Sequence, residues 1–154
     1  MSIAHKKAFS LIEVLIFVTI LSIFLIAAAS IVTLSMRQNT LRIHMLKATH
    51  YNSQLLEWLK GERDIDWKSF VMYAQNKSRC YTADTFSSAT TVSEEECLSG
   101  SGFLDGLYKR YAVFTTSKNS EGVVTQVAVE IHTQWQESGG TYTTKLNSIF
   151  TLWE

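Results

Sequence analysis

The sequence predicts an α+β protein: one long N-terminal α-helix, with an apolar first half, packed on a C-terminal antiparallel β-sheet. Three observations carry that prediction. Residues Val14 to Met36 hold no charge at all. From Leu34 onward, apolar residues recur at helical spacing without an intervening proline. Past residue 108, three segments alternate apolar and polar residues with period two.

The uncharged run, read with its flanks as a span over 9–36, is long enough to cross a bilayer, which takes about 20 helical residues. The apolar core of a cleaved signal peptide is shorter, about 7 to 15 residues. Ala27-Ala28-Ala29 nevertheless offers a small-residue site for a signal peptidase, so a secreted soluble binding domain released near Ala29 stands as an alternative. An uncleaved signal-anchored protein is a third reading. Glu13 speaks against the secretory one: a carboxylate sits where a signal core is purely apolar, and an ionised group at the edge of hydrocarbon calls for a partner.

Beyond Met36 the chain becomes amphipathic. Leu34, Leu41, Met45, Ala48, Leu55 and Leu59 fall at steps of three, four or seven, away from Arg37, Arg42, Lys47 and Lys60. Gly61 behind Lys60 reads as the end of this helix, with a cation in the last turn. The expected helix therefore runs from Phe9 to Lys60, its 37–60 part lying on a globular domain formed by 61–154.

In that domain ERDIDWKSFVMYAQNKSR reads as a short helix, capped by Asp64 or Asp66, with Trp67, Phe70, Val71 and Ala74 on one face. Residues Cys80 to Gly102 read as a variable loop. If this half is exported, a disulfide between Cys80 and Cys97 is the natural expectation, worth about 3 kcal/mol through loop closure. Three strands follow: Lys109 to Thr116, Val123 to Trp135, and Thr141 to Trp153. In the second, Val123, Thr125, Val127, Val129, Ile131, Thr133 and Trp135 share one face, and Gln126, Glu130, His132 and Gln134 the other. Tyr142, Leu146, Phe150 and Leu152 mark the third. SKNSEG and QESGG supply the turns of an antiparallel meander.

Charge is balanced overall but not along the chain: residues 1 to 60 hold six Lys/Arg against two acids, residues 61 to 154 eight against twelve. The acidic C-terminal half has no electrostatic footprint for nucleic acid. Enzyme chemistry finds no foothold either. His5, His44, His50 and His132 lack metal-ligand spacing, and no phosphate-binding loop, dinucleotide fingerprint or nucleophile elbow occurs. Glu94-Glu95-Glu96 lacks the spacing of a calcium loop and reads as a solvated charge run. Trp58, Trp67, Trp135 and Trp153 read as core or interface aromatics. No cofactor is expected.

The segment AFSLIE, Ala8 to Glu13, behind a leader ending His5-Lys6-Lys7, resembles the N-terminus of type IV prepilins and type II secretion pseudoprepilins. That resemblance implies a leader at 1–8, cut between Ala8 and Phe9 on the cytoplasmic side by a prepilin peptidase, which then methylates the new amine of Phe9. It implies a single pass through the bacterial inner membrane with the C-terminal domain outside, an orientation that the nearly balanced flanking charges leave undecided. It also implies other pilin or pseudopilin subunits as partners in a pilus or pseudopilus filament. Glu13, fifth in the mature chain, would there meet the N-terminal amine of a neighbour in a core without water, as a device for register and recruitment. The family most often has Gly where Ala8 stands, and commonly a proline where Ser30 stands. The pairing of VAVEIHTQW with TYTTKLNSIFTLW is similar to the C-terminal hairpin of minor pilins and minor pseudopilins, which implies a low-abundance subunit.

Overall fold

Helix formers run on from Leu11 without a proline, and in the computed structural model of this protein they form one helix, α1, over Leu11–Ile65. The structure describes residues 10–75, 77–81, 86, 89–137 and 139–152. After α1 come α2 (Trp67–Ala74), β1 (Ser78–Cys80), β2 (Thr90–Thr91), α3 (Glu94–Ser99), β3 (Lys109–Lys118), β4 (Val124–Glu137) and β5 (Gly140–Thr151). The chain divides into two compact units, residues 1–42 and 43–154. This is the α+β, pilin-like architecture of a long helix with an antiparallel sheet.

In the second unit one stripe of α1 is buried: Ala48, Asn52, Leu55 and Leu59, at steps of four, three and four. It meets the inner face of a five-stranded antiparallel sheet ordered β2-β1-β3-β4-β5. Period-two alternation places Ala112 and Phe114 of β3, Val127, Val129 and Ile131 of β4, and Phe150 of β5 on that face, where they cluster with Leu55, Leu59 and the α2 residues Phe70 and Ala74. Cross-strand pairs join Ala112 to Ile131 and Phe114 to Val129. A second cluster, Ala48, Leu104, Tyr108 and Trp135, closes the end of the seam nearest the start of the unit.

Several details depart from the sequence expectation. Gly61 does not end the helix, which runs one further turn to Ile65. The stop comes from Asp66, whose extended backbone (φ −156°, ψ 105°) and side-chain hydrogen bond from the Lys68 N–H make it the N-cap of α2. Leu34 and Met45 are exposed rather than part of the buried stripe. Cys80 to Gly102 is not simply a loop: β1, β2 and α3 lie wholly or partly within it. The strands are too short to show alternation, and β1 is held by pairing with β3, Cys80 opposite Tyr111. Val123 and Thr125 are exposed, because β4 outruns the helix-covered face there, and Leu152 lies exposed beyond β5. His132, on the polar face of β4 in the sequence pattern, is buried.

The turns follow their residues. Asn119 accepts hydrogen bonds on Oδ1 from the Glu121 and Val123 N–H groups (3.0 and 2.9 Å), and Gly122 takes φ 80°, where a Cβ would be strained.

Leu59→Ala should cost about 2–5 kcal/mol, read from chemical unfolding of the full chain in detergent micelles. Gly61→Ala should instead stabilise by about 0.5–1 kcal/mol, since the glycine is helical and a Cβ there meets nothing within 4 Å. A neutral Leu59 change or a destabilising Gly61 change contradicts this packing.

Candidate functional site

Residues 11–36 carry the first set of candidate features. Leu11, Ile12, Leu15, Phe17, Ile20, Ile23, Phe24 and Ile26 are all more than half exposed, so this helix shows apolar side chains on every side. It is the stretch long and apolar enough to cross a membrane. Four of its hydroxyls bond to carbonyls within the helix. Thr19 Oγ1 donates to the Ile16 carbonyl (2.8 Å), Ser22 Oγ to Val18 (2.7 Å), Ser30 Oγ to Ile26 (2.9 Å) and Thr33 Oγ1 to Ser30 (2.9 Å). That is how polar groups are tolerated in hydrocarbon. The helix is unbroken through Ser30.

Glu13 lies in the first turn of α1, where its backbone N–H donates to the Ser10 carbonyl (3.0 Å). A carboxylate at a helix N-terminus is favoured by the helix dipole. Its side chain is exposed, and among the described residues it has no ion-pair partner. Ala8 and Phe9, the expected cleavage pair, lie outside the described residues, as does Trp153.

The second set of features is on the outer face of the sheet. Cys80 of β1 and Cys97 of α3 are joined by a disulfide, with Cα atoms 5.5 Å apart. It pins α3 over β3, where both cysteines pack on Tyr111, Val92, Leu98 and Val113. The acidic triplet is the first turn of α3. Ser93 caps it: its Oγ accepts from the Glu96 N–H, and Glu96 accepts from the Ser93 N–H (2.9 Å), a complete capping box. Those bonds from the Ser93 backbone and hydroxyl hold the Glu96 carboxyl below the usual glutamate range. Glu94 accepts a hydrogen bond from the Tyr111 hydroxyl, and burial together with that carboxylate pushes the phenol up. At the other end of α3, Lys109 Nζ donates to the carbonyls of Leu98 and Gly100, a cation answering the negative end of the helix. This cover is why His132 is buried: its ring stacks on Tyr111 at 4.7 Å, tilted by 11°.

A polar seam inside the second unit escaped the sequence reading. Asn52, fully buried on α1, accepts from Thr133 Oγ1 (2.6 Å) and donates to Thr144 Oγ1 (3.1 Å). Arg110, also buried, donates from Nη1 to the Tyr51 carbonyl (2.9 Å), with its guanidinium 4.9 Å from the Phe86 ring centre. The available signal was Asn52 itself, four residues beyond Ala48 on the buried stripe. His44 and His50 do not converge: His44 Nδ1 lies 2.6 Å from the Tyr108 hydroxyl, and His50 Nε2 3.1 Å from Gln54 Nε2. Trp135 is core, stacked on Tyr142, while Trp58 and Trp67 are half-buried.

An acidic first turn on a helix apolar all round, followed by a helix-on-sheet domain, is a pilin-like arrangement. The chain matches the prokaryotic N-terminal methylation motif over residues 3–29, consistent with the type IV prepilin-like family. Neither the curated proteins nor the solved structures provide a match. The motif is the kind found in type IV pilin-like structural proteins; it implies processing by a prepilin peptidase and assembly with other pilin subunits, and it fits membrane anchoring.

Two outcomes test the clasp. Replacing both cysteines by Ser should lower stability by about 3 kcal/mol, measured by chemical unfolding; an unchanged midpoint contradicts the clasp. Because the Glu96 carboxyl is lowered in the folded state, its contribution is complete above the unfolded value and is lost as pH falls through the folded one. The Ser93 amide resonance should accordingly titrate with a midpoint below that of an ordinary glutamate, and Glu96→Gln should abolish that step. A midpoint at or above the ordinary value contradicts the capping box.

Proposed function

We propose that this chain is a minor pilin or minor pseudopilin, a low-abundance structural subunit of a type IV pilus or a type II secretion pseudopilus in the bacterial inner membrane. A leader at 1–8 is cut between Ala8 and Phe9, and Phe9 is methylated on its new amine. Residues 9–36 hold the subunit in the membrane, 37–60 carry the helix onward, and 61–154 complete the outer domain. The observation that carries this reading is the methylation motif at 3–29 overlapping a helix whose apolar side chains are exposed on every side. Such a surface calls for lipid before assembly and for neighbouring helices afterwards.

In this reading Glu13 pairs with the N-terminal amine of a neighbouring subunit. Bringing both charges into a low-dielectric core costs desolvation that offsets much of their attraction. The pair therefore sets register and recruitment more than it adds strength. The hairpin β4–β5, in continuous register from Gln126 opposite Thr151 to Glu137 opposite Gly140, supports the minor-subunit assignment by its likeness to the C-terminal hairpin of such subunits.

The intact mass of the membrane-extracted protein decides the processing. The expected value is that of a chain beginning at Phe9 with one added methyl. A start at Ser30 gives the secreted alternative instead, and a retained leader gives a plain signal anchor. Glu13→Ala should leave that mass nearly unchanged while reducing incorporation into filaments by about ten-fold or more. Unchanged incorporation contradicts the charge-pair role.

A further inference from the structure

Sheet edges are hazards, because a row of unpaired backbone N–H and C=O groups templates pairing with any extended chain. The two edges of this sheet are unequal. One is β2, only 2 residues long. The other is β5, 12 residues from Gly140 to Thr151, paired with β4 on one side and with no strand on the other among the described residues. Of the usual protections it keeps one, a lysine. It holds no proline, its pairing with β4 contains no bulge, and its residues, Thr, Tyr, Leu, Ile and Phe prominent among them, favour strands. Lys145 is its single charge.

Lys145 also says what can lie there. It is exposed and, among the described residues, has no ion-pair partner. It stands opposite His132 on β4. The acid on the same face, Glu130, is opposite Asn147 and directs Oε2 to His132 Nε2 at 3.4 Å. Lys145 lies near the middle of β5, so two-fold antiparallel pairing with the β5 of a second copy, with the two sheet faces aligned, sets the two lysines directly opposite or one diagonal step apart in the registers nearest to full overlap. Like charges in that position repel. A strand with a carboxylate at the corresponding place gains instead a cross-strand ion pair.

We propose that the free edge of β5 is a docking site for an extended segment of a different subunit, added as a sixth strand by backbone hydrogen bonding, with an acidic residue beside Lys145. The inference rests on the reading of the chain as a filament subunit. The backbone supplies the attachment and Lys145 supplies selection between partners.

The test uses the full chain in the membranes of its own cell. A photo-crosslinking amino acid is placed at Thr143 or Asn147, both exposed on β5, and in a control at Glu121 in the β3–β4 turn. Crosslinked peptides are then sequenced by mass spectrometry. The expected product joins Thr143 or Asn147 to a strand-forming segment of another protein that contains an Asp or Glu. Lys145→Glu should lower its yield about five-fold, Lys145→Arg should preserve it, and reversing the partner's acid to Lys should restore it in the Lys145→Glu background. No product from the two β5 positions, a product from Glu121 alone, a product joining only two copies of this chain, or a yield indifferent to the charge at 145 overturns the proposal. The N-terminal mass is read from the same preparation. A wrong processing assignment and a wrong edge assignment therefore give separate results.

Discussion

Asn52 enters the seam between α1 and the sheet with its carboxamide fully buried, taking a hydrogen bond from Thr133 on β4 and giving one to Thr144 on β5. The surrounding contacts, Leu55 and Leu59 against Val127, Val129, Ile131 and Phe150, are apolar and indifferent to small slides of helix over sheet. The carboxamide is not indifferent, since a one-residue shift would leave it and the buried Thr133 hydroxyl unpaired. It thus fixes where the helix sits, and with it where Ala48 meets Trp135 and where Arg110 reaches the Tyr51 carbonyl. One polar contact sets the register, and apolar area supplies most of the stability.

The same helix obeys a different rule over residues 11–36. Nothing in its own unit covers those side chains, so hydroxyls turn inward to helix carbonyls and the one acid is confined to the first turn, where the dipole favours it. That division of labour explains how a carboxylate and five hydroxyl residues coexist with a segment suited to lipid. Under the proposed filament role, the same division would place anchoring and recruitment in one unit and the surfaces that distinguish one subunit from another in the other.

Much of this was legible in the residues, and the reasons are physical. Long-period signals survive in a single sequence, the charge-free run at 14–36 and the alternation from Val127 to Trp135, and so does a cap ahead of Trp67, narrowed in sequence to Asp64 or Asp66. The misreadings cluster where tertiary context decides. Gly61 looks like a helix end, but the following cap at Asp66 sets the boundary and the glycine is carried along. β1 and β2 have too few residues to show a period and exist through pairing alone. His132 has a polar residue's place in the alternation, yet α3, pinned by Cys80 and Cys97, leaves only Tyr111 for it to stack on. Asn52 was hidden because a polar residue inside an apolar stripe looks like an interruption until its two threonines arrive from residues some eighty to ninety positions away.

The seam can be measured directly by a double-mutant cycle on Asn52→Ala and Thr133→Val in the full chain, with stabilities taken from chemical unfolding in micelles. If Asn52 sets the register, each single change strands a buried partner and the pair changes together cost less than the sum, with a coupling of about 1–2 kcal/mol. Additive effects within about 0.3 kcal/mol would contradict that role and return the placement of the helix to apolar packing alone.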